Sequence, residues 1–105
     1  MAILIAESGS SKTDWRFVGN NGGITQIKTI GFNPYYQDEE SIFNEINLNV
    51  APKITEKIDS IFYYGTGITN IEKAKIIDNA LKRVFSEAVI TVKDDLIAAA
   101  RALCL

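Results

Sequence analysis

Apolar and polar residues alternate in different ways along the chain, and the changes in spacing mark its secondary-structure elements. The apolar run at residues 2–6 predicts a buried strand. Residues 13–17 and 24–30 alternate with period two, which predicts two further strands, each with one solvated face. Turns rich in Gly, Ser and Asn separate the three segments, so we expect an antiparallel meander.

The second half of the chain changes to helical spacing. Residues 38–50 begin with three acids, which suit the positive end of a helix, and continue with an apolar stripe. After a short apolar strand at residues 60–65, the capping box Thr69-Asn70-Ile71-Glu72 predicts a second helix with Ile71 on its buried face. Residues 88–92 then predict a last strand, and Asp94-Asp95 begin a final Ala-rich helix.

The predicted order is therefore β-β-β-α-β-α-β-α, an α/β fold in one domain, residues 1–105. Right-handed crossovers place the two later strands beyond strand one, which predicts a five-stranded mixed sheet with strand one central and helices on both faces. The carboxyl edge of that sheet collects Glu7, the turn Gly65-Thr66-Gly67 and the pair Asp94-Asp95. Ligands bind at this edge in open α/β sheets.

Composition excludes several classes of function. The net charge is −2 and Lys and Arg do not cluster, which argues against a nucleic-acid partner or an anionic membrane surface. Cys104 is the only cysteine, so no internal disulfide forms, and a reducing cytoplasm fits. No segment has the pattern of a signal peptide or membrane span. The chain has no His, so acid–base chemistry falls to carboxylates.

The first hairpin loop carries the strongest candidate chemistry. A loop of Ser and Gly followed by Lys12 can aim backbone N–H groups and hydroxyls at a phosphate. Glu7 at its base could hold hydrated Mg²⁺, which takes one or two carboxylates in addition to phosphate oxygens. A plain polar turn is the alternative. A Walker A loop is excluded, because strand periodicity rather than helix periodicity follows Thr13.

The other candidates also have structural alternatives. Asp94 and Asp95 could be helix caps or catalytic carboxylates. Gly65-Thr66-Gly67 could be only a strand-to-helix turn, and Asn33 before Pro34 could simply begin a turn.

Three motifs in this order resemble the first domain of the acetate and sugar kinase, Hsp70 and actin superfamily, whose topology is ribonuclease H-like. Within it, the chain most resembles the N-acetylglucosamine kinase and BadF/BadG-type ATPase family. The motifs are the hairpin Glu7-Ser8-Gly9-Ser10-Ser11-Lys12-Thr13, the loop Gly31-Phe32-Asn33-Pro34, and the segment Val92-Lys93-Asp94-Asp95 with the Ala-rich stretch that follows.

The resemblance implies a role for each matching residue. Asp95 would be the general base, and Glu7, where the family usually has Asp, would hold Mg²⁺. The residues that would line the phosphates of ATP are Ser8, Gly9, Ser10, Ser11, Lys12 and Thr13. Those that would contact the sugar are Asn33, Gly65, Thr66 and Gly67. Ser10 and Ser11 depart from the family's Gly and Thr.

The resemblance further implies the N-terminal lobe of an ATP-dependent sugar kinase whose substrate is N-acetylglucosamine. Its second lobe would be a partner absent from this chain, and the isolated lobe would be inactive. The apolar surface of the terminal helix is a candidate for homodimer formation. Three alternatives stay open: a BadF-type ATPase activator of a dehydratase, a ribonuclease H-like metal-dependent nuclease, and a non-catalytic half-domain.

Overall fold

The computed structural model describes residues 1–68 and 70–94. Its elements, in chain order, are β1 (Ile3–Ser8), β2 (Lys12–Val18), β3 (Ile24–Ile30), α1 (Glu39–Asn49), a 3-10 turn (Ala51–Lys53), β4 (Ser60–Gly65), α2 (Ile71–Val84) and β5 (Val89–Asp94). The predicted order of strands and helices is confirmed over these residues, and the predicted bounds of β3 and β4 are also those of the structure.

The five strands form one mixed sheet in the order β3-β2-β1-β4-β5. β1 pairs antiparallel with β2 and parallel with β4, and β5 is parallel to β4. Strand one is therefore central, as the crossover rule requires. The two described helices lie on one face of this sheet, and the final helix predicted from the sequence lies outside the described residues.

A single apolar core fills the space between the sheet and the two helices. Trp15 lies at its centre, with ring centroids 6.2 Å from Phe32 and 6.3 Å from Tyr63 in edge-to-face contacts. The helices contribute fully buried side chains, among them Ile46 and Ile77. Because period-two alternation places every second strand residue on this face, the same residues that predicted the strands also form the core.

Side-chain caps begin both described helices, and one of them differs from the prediction. Asp38 caps α1, and its carboxylate accepts a hydrogen bond of 2.9 Å from Ser41 N, which lowers the pKa of Asp38. The prediction that the box at residues 69–72 begins α2 with Ile71 buried is wrong. Asn70 is the cap and accepts from Lys73 N at 3.0 Å. Ile71 is then the first helical residue, and it is 77% exposed.

The last strand is longer than predicted, and this changes the position of Asp94. β5 continues to Asp94, which pairs in register with Gly65 of β4. The idea that Asp94 begins the final helix is therefore wrong, because parallel pairing extends the strand through it. Asp95 lies outside the described residues. Within the described part of the chain, none of the helices has both the length and the apolar character needed to cross a membrane.

Candidate functional site

The carboxyl ends of the three parallel strands meet in one row. Ser8 of β1 is in register with Gly65 of β4, which is in register with Asp94 of β5. Since neighbouring strands lie about 4.8 Å apart, the row is about 10 Å long. The predicted grouping of the first hairpin, the Gly-rich turn and Asp94 at one edge of the sheet is confirmed.

A buried hydroxyl network ties the first hairpin to the loop after β3. Ser8 Oγ lies 2.7 Å from Thr13 Oγ1, which donates to the carbonyl oxygen of Ile30 at 2.9 Å. Because Thr13 has one hydroxyl proton, Ser8 is the donor between the two hydroxyls. Ser8 Oγ in turn accepts from Phe32 N at 2.9 Å. The network therefore holds β1, β2 and the loop that contains Asn33 together.

Close backbone packing adds a second tie between the same two loops. A Cβ on Gly31 would lie 2.8 Å from Ser10 C and 2.9 Å from Lys12 N. These are backbone atoms of the first hairpin loop, which cannot move aside as the end of a side chain can. Only glycine therefore lets the loop after β3 lie against the first hairpin.

The turn after β4 completes the group of loops. Thr66 N donates to the carbonyl oxygen of Ser8 at 3.1 Å. Gly67 has a φ of 81°, and a Cβ there would lie 2.7 Å from Asn33 Oδ1. Glycine at position 67 is thus favoured by its backbone conformation, and the Asn33 side chain lies close against it. Residues from three separate stretches of sequence meet at this point.

Asn33 organises its own loop. Its side-chain oxygen accepts from Tyr35 N at 3.0 Å, and its backbone N–H donates to Gln37 Oε1 at 2.6 Å. Its carbonyl oxygen accepts from Tyr36 N and Gln37 N. The structural alternative considered from the sequence, that Asn33 begins a turn, therefore applies. Its contact with a sugar stays a prediction.

The six hairpin residues predicted to line a phosphate fall into two groups. Ser8 and Thr13 are buried, and their hydroxyls belong to the internal network. The intervening residues 9–12 are exposed at the tip of the loop. An anion that approaches this edge would therefore meet the loop tip and Lys12, while the buried pair shapes the loop from below. A role for any of the six in phosphate binding stays a prediction.

Glu7 points to the opposite face of the sheet from Ser8, as alternation along a strand requires. It is exposed and opposite Asp14 of β2, with Ile5 and Arg16 around the same shallow depression. Within residues 1–68 and 70–94, Asp, Glu and Cys side chains do not form a group of three that could hold a metal. Mg²⁺ is commonly bound by one or two carboxylates, so the donor chemistry of Glu7 fits the ion, and this assignment also stays a prediction.

Tyr63 is a buried core residue next to this edge, and the sequence assigned it no role in the site. Its ring packs against Gly65, where a Cβ would lie 2.6 Å from Tyr63 Cε1. Its hydroxyl is buried and has no hydrogen-bond partner among the described groups. Burial raises the pKa of Tyr63 well above its ordinary value, against a smaller effect of the nearby Ser8 hydroxyl. In the sequence, Gly65 was the only sign of this packing. It lies two residues after Tyr63 on the same face of the strand, and the large ring needs the space that a glycine leaves.

A solved protein is similar to this chain over nearly all of this chain's length. A crystal structure from Porphyromonas gingivalis, described as a "putative N-acetylglucosamine kinase", superimposes with a TM-score of 0.83 and 37% sequence identity. The alignment covers 97% of this chain and 37% of that one, so this chain spans little more than a third of the structure it matches. Neither a protein-family model nor a curated protein sequence matches.

The sheet order, the crossover helices and the loops at the carboxyl edge define the class of the protein as an actin-like ATPase domain with ribonuclease H-like topology. Within that class, the chain belongs to the N-acetylglucosamine kinase and BadF/BadG-type ATPase family, at the level of this one domain. The family and fold predicted from the sequence are therefore confirmed.

Proposed function

We propose that this domain is the N-terminal lobe of an ATP-dependent kinase that phosphorylates N-acetylglucosamine. The observation that carries the proposal is the convergence of the first hairpin, the Asn33 loop and the Gly65-Thr66-Gly67 turn at one sheet edge. The similarity to the Porphyromonas gingivalis protein supports the same chemistry. A second lobe would supply the opposite wall of the cleft and the remaining contacts to ATP.

Each part of this edge has a proposed task. The exposed loop tip and Lys12 bind phosphate oxygens, and Lys12 brings a positive charge to them. Asn33 and the turn at residues 65–67 orient the sugar. The carboxylate of Asp95 accepts the proton of the attacking hydroxyl. Mg²⁺, held by Glu7 together with phosphate oxygens, would neutralise charge on the phosphates.

Phosphoryl transfer depends mainly on positioning and charge neutralisation. The hydrogen bonds that hold the three loops together therefore support the proposed reaction. Ser8 connects the hairpin to both other loops, through Phe32 N and Thr66 N. A shift of one loop is therefore transmitted to the other two. In this arrangement the phosphate-binding and sugar-binding segments keep a constant separation, as transfer between two bound substrates requires.

The test uses the protein that carries this lobe together with a second one. Sugar-dependent ADP release is measured with MgATP and, separately, N-acetylglucosamine, glucosamine and glucose. We expect N-acetylglucosamine to give the highest kcat/KM. A preference for glucose would reject the proposed sugar, and no turnover with any of the three would reject the kinase.

The proposed base is tested by a matched pair of variants. Asp95→Asn should abolish sugar phosphorylation and leave equilibrium binding of MgATP nearly unchanged, because the base acts on the sugar hydroxyl. Asp94→Asn alters the neighbouring carboxylate, which lies at the end of β5, and should retain most of the turnover. Equal loss in both variants would contradict the assignment of the base to Asp95.

A further inference from the structure

The edge strand β3 has a sequence that reads almost the same in both directions. Its residues are Ile24-Thr25-Gln26-Ile27-Lys28-Thr29-Ile30, so the types are symmetric about Ile27 except for the exchange of Gln26 and Lys28. A twofold-symmetric contact requires a surface that is complementary to itself. An antiparallel strand pair with its axis at Ile27 meets this condition residue by residue.

The position of β3 leaves one side of its backbone without a strand neighbour in the described sheet. β3 is at the end of the strand order and pairs only with β2 there. Across the turn that joins β2 to β3, Gly19 N donates to the carbonyl oxygen of Gly23, so the backbone groups of Gly23 point toward β2 and so do those of Thr25 and Ile27. Because successive residues of a strand point their backbone groups to opposite sides, those of Gln26 and Lys28 point outward.

We propose that β3 pairs antiparallel with β3 of a second copy of this chain, joining the two five-stranded sheets into one. With the axis at Ile27, Thr25 is opposite Thr29 of the second copy, and Ile27 is opposite its own counterpart. In this register Gln26 is opposite Lys28 of the second copy, and the N–H and C=O groups of both point outward, so donors match acceptors in both chains.

The side chains on the face away from the helices agree with this register. Ile24 is 68% exposed and Ile30 is 52% exposed, which is high for large apolar residues. In the pair, Ile24 is opposite Ile30 of the second copy at both ends of the interface. Cross-strand pairs of β-branched side chains are favourable, and both residues leave water.

The single charge on β3 also fits self-pairing. A lysine in the middle of an edge strand commonly prevents pairing with another chain. Here Lys28 would be opposite Gln26 of the second copy rather than opposite another lysine. Asp14 of its own chain is the register partner of Lys28 on the other side, and Gln26 Nε2 lies 3.4 Å from Asp14 Oδ1. The charge is thus placed between a carboxylate and an amide.

The area of the contact predicts a weak dimer. One strand pair buries less than the roughly 1,200 Å² at which stable interfaces begin. We therefore expect a dissociation constant weaker than about 1 µM, so that association appears only at high protein concentration. This surface is separate from the proposed kinase site, so failure to find the dimer would not affect the proposed kinase activity, and the reverse is also true.

Sedimentation equilibrium of the 105-residue chain and two charge variants tests the register. Gln26→Lys places an ammonium opposite Lys28 of the second copy and should weaken the dimer about tenfold. Gln26→Glu places a carboxylate there and should tighten it by a similar factor. In the monomer a charge at position 26 lies opposite Arg16 and close to Asp14, so its effect on the monomer is measured separately. Urea unfolding at low protein concentration measures this internal control.

A second measurement checks the backbone pairing directly. Amide hydrogen exchange of Gln26 and Lys28 should slow as the protein concentration rises through the dissociation constant. Gln26→Pro removes one outward N–H at an exposed edge position, where proline is tolerated, and should abolish the dimer. The proposal is overturned by a chain that stays monomeric up to about 1 mM. A dimer that is insensitive to all three variants, or exchange at these amides that is independent of concentration, also overturns it.

Discussion

The hydroxyl oxygens of Ser8 and Thr13 lie 2.7 Å apart, buried between the first two strands of the sheet. This pair is the point at which β1, β2 and the loop after β3 are joined, since Thr13 continues to Ile30 and Ser8 receives Phe32 N. A small hydroxyl at position 8 therefore has a structural task that an exposed serine of the same loop does not have.

Replacement of Ser8 tests the importance of this network. Ser8→Ala leaves Phe32 N and Thr13 Oγ1 each without one partner in a buried position, so we expect a loss of about 1–3 kcal/mol in the free energy of unfolding. Ser10→Ala, at the exposed tip of the same loop, should change it by less than about 0.5 kcal/mol. Urea denaturation of both variants measures the difference. Equal effects of the two variants would show that the buried hydroxyl network does not contribute to the free energy of unfolding.

Two glycines of the same contact region should respond differently to an added methyl group. Gly31→Ala forces a Cβ against backbone atoms of the hairpin loop, and overpacking of this kind costs about 1–3 kcal/mol. For Gly9→Ala the nearest atom, Lys12 O, is 3.8 Å from the new Cβ, so its stability should change little. Thermal unfolding of the two variants provides the measurement. A stable Gly31→Ala protein would mean that the loops separate easily.

The hydroxyl of Tyr63 should be dispensable for folding at neutral pH. It is buried and has no hydrogen-bond partner within residues 1–68 and 70–94, so Tyr63→Phe should leave the free energy of unfolding unchanged or raise it by about 1 kcal/mol. Tyr36→Phe is the control, since Tyr36 is 88% exposed and its hydroxyl is already in water. A clear loss of stability in Tyr63→Phe, measured by urea unfolding at pH 7, would show that the hydroxyl has a partner in solution.

The same residue predicts a pH dependence. Burial raises the pKa of Tyr63, so the unfolded state releases this proton at a lower pH than the folded state does. The contribution is fully present below the unfolded pKa of about 10 and is lost as the pH rises further. Between pH 9 and pH 11, Tyr63→Phe should therefore lose less stability than the parent chain. Parallel alkaline unfolding curves for the two proteins would contradict this.

Replacement of Lys12 should weaken MgATP binding without changing the stability of the fold. It is exposed, so Lys12→Ala should change the free energy of unfolding by less than about 0.5 kcal/mol. If Lys12 binds a phosphate oxygen, loss of a charge-assisted hydrogen bond should weaken MgATP binding by about tenfold or more. Calorimetric titration of the two-lobe protein measures this, with Lys53→Ala, an exposed lysine of the 3-10 turn, as the control. Unchanged affinity in Lys12→Ala would remove Lys12 from the site.

Local patterns in the sequence were sufficient for most of the fold. Alternation at residues 24–30 defined β3 to the residue, because period two has only one interpretation when turns bound it on both sides. The start of α2 was wrong by one residue because Thr69 and Asn70 are both good caps, and sequence spacing alone favoured the box. The end of β5 was missed because an acid after an apolar run suits a strand end and a helix start equally well.

The candidate site could also be predicted only in part from the sequence. The sequence by itself determined which short stretches carry candidate chemistry, since small residues, amides and carboxylates can be identified without a fold. Only the tertiary structure decided that Ser8 and Thr13 point inward, that Gly31 makes room for the hairpin loop, and that Gly67 meets Asn33. Contacts between residues far apart in sequence, such as Ser8 with Phe32, arise from the packing of whole elements, and no local pattern encodes them.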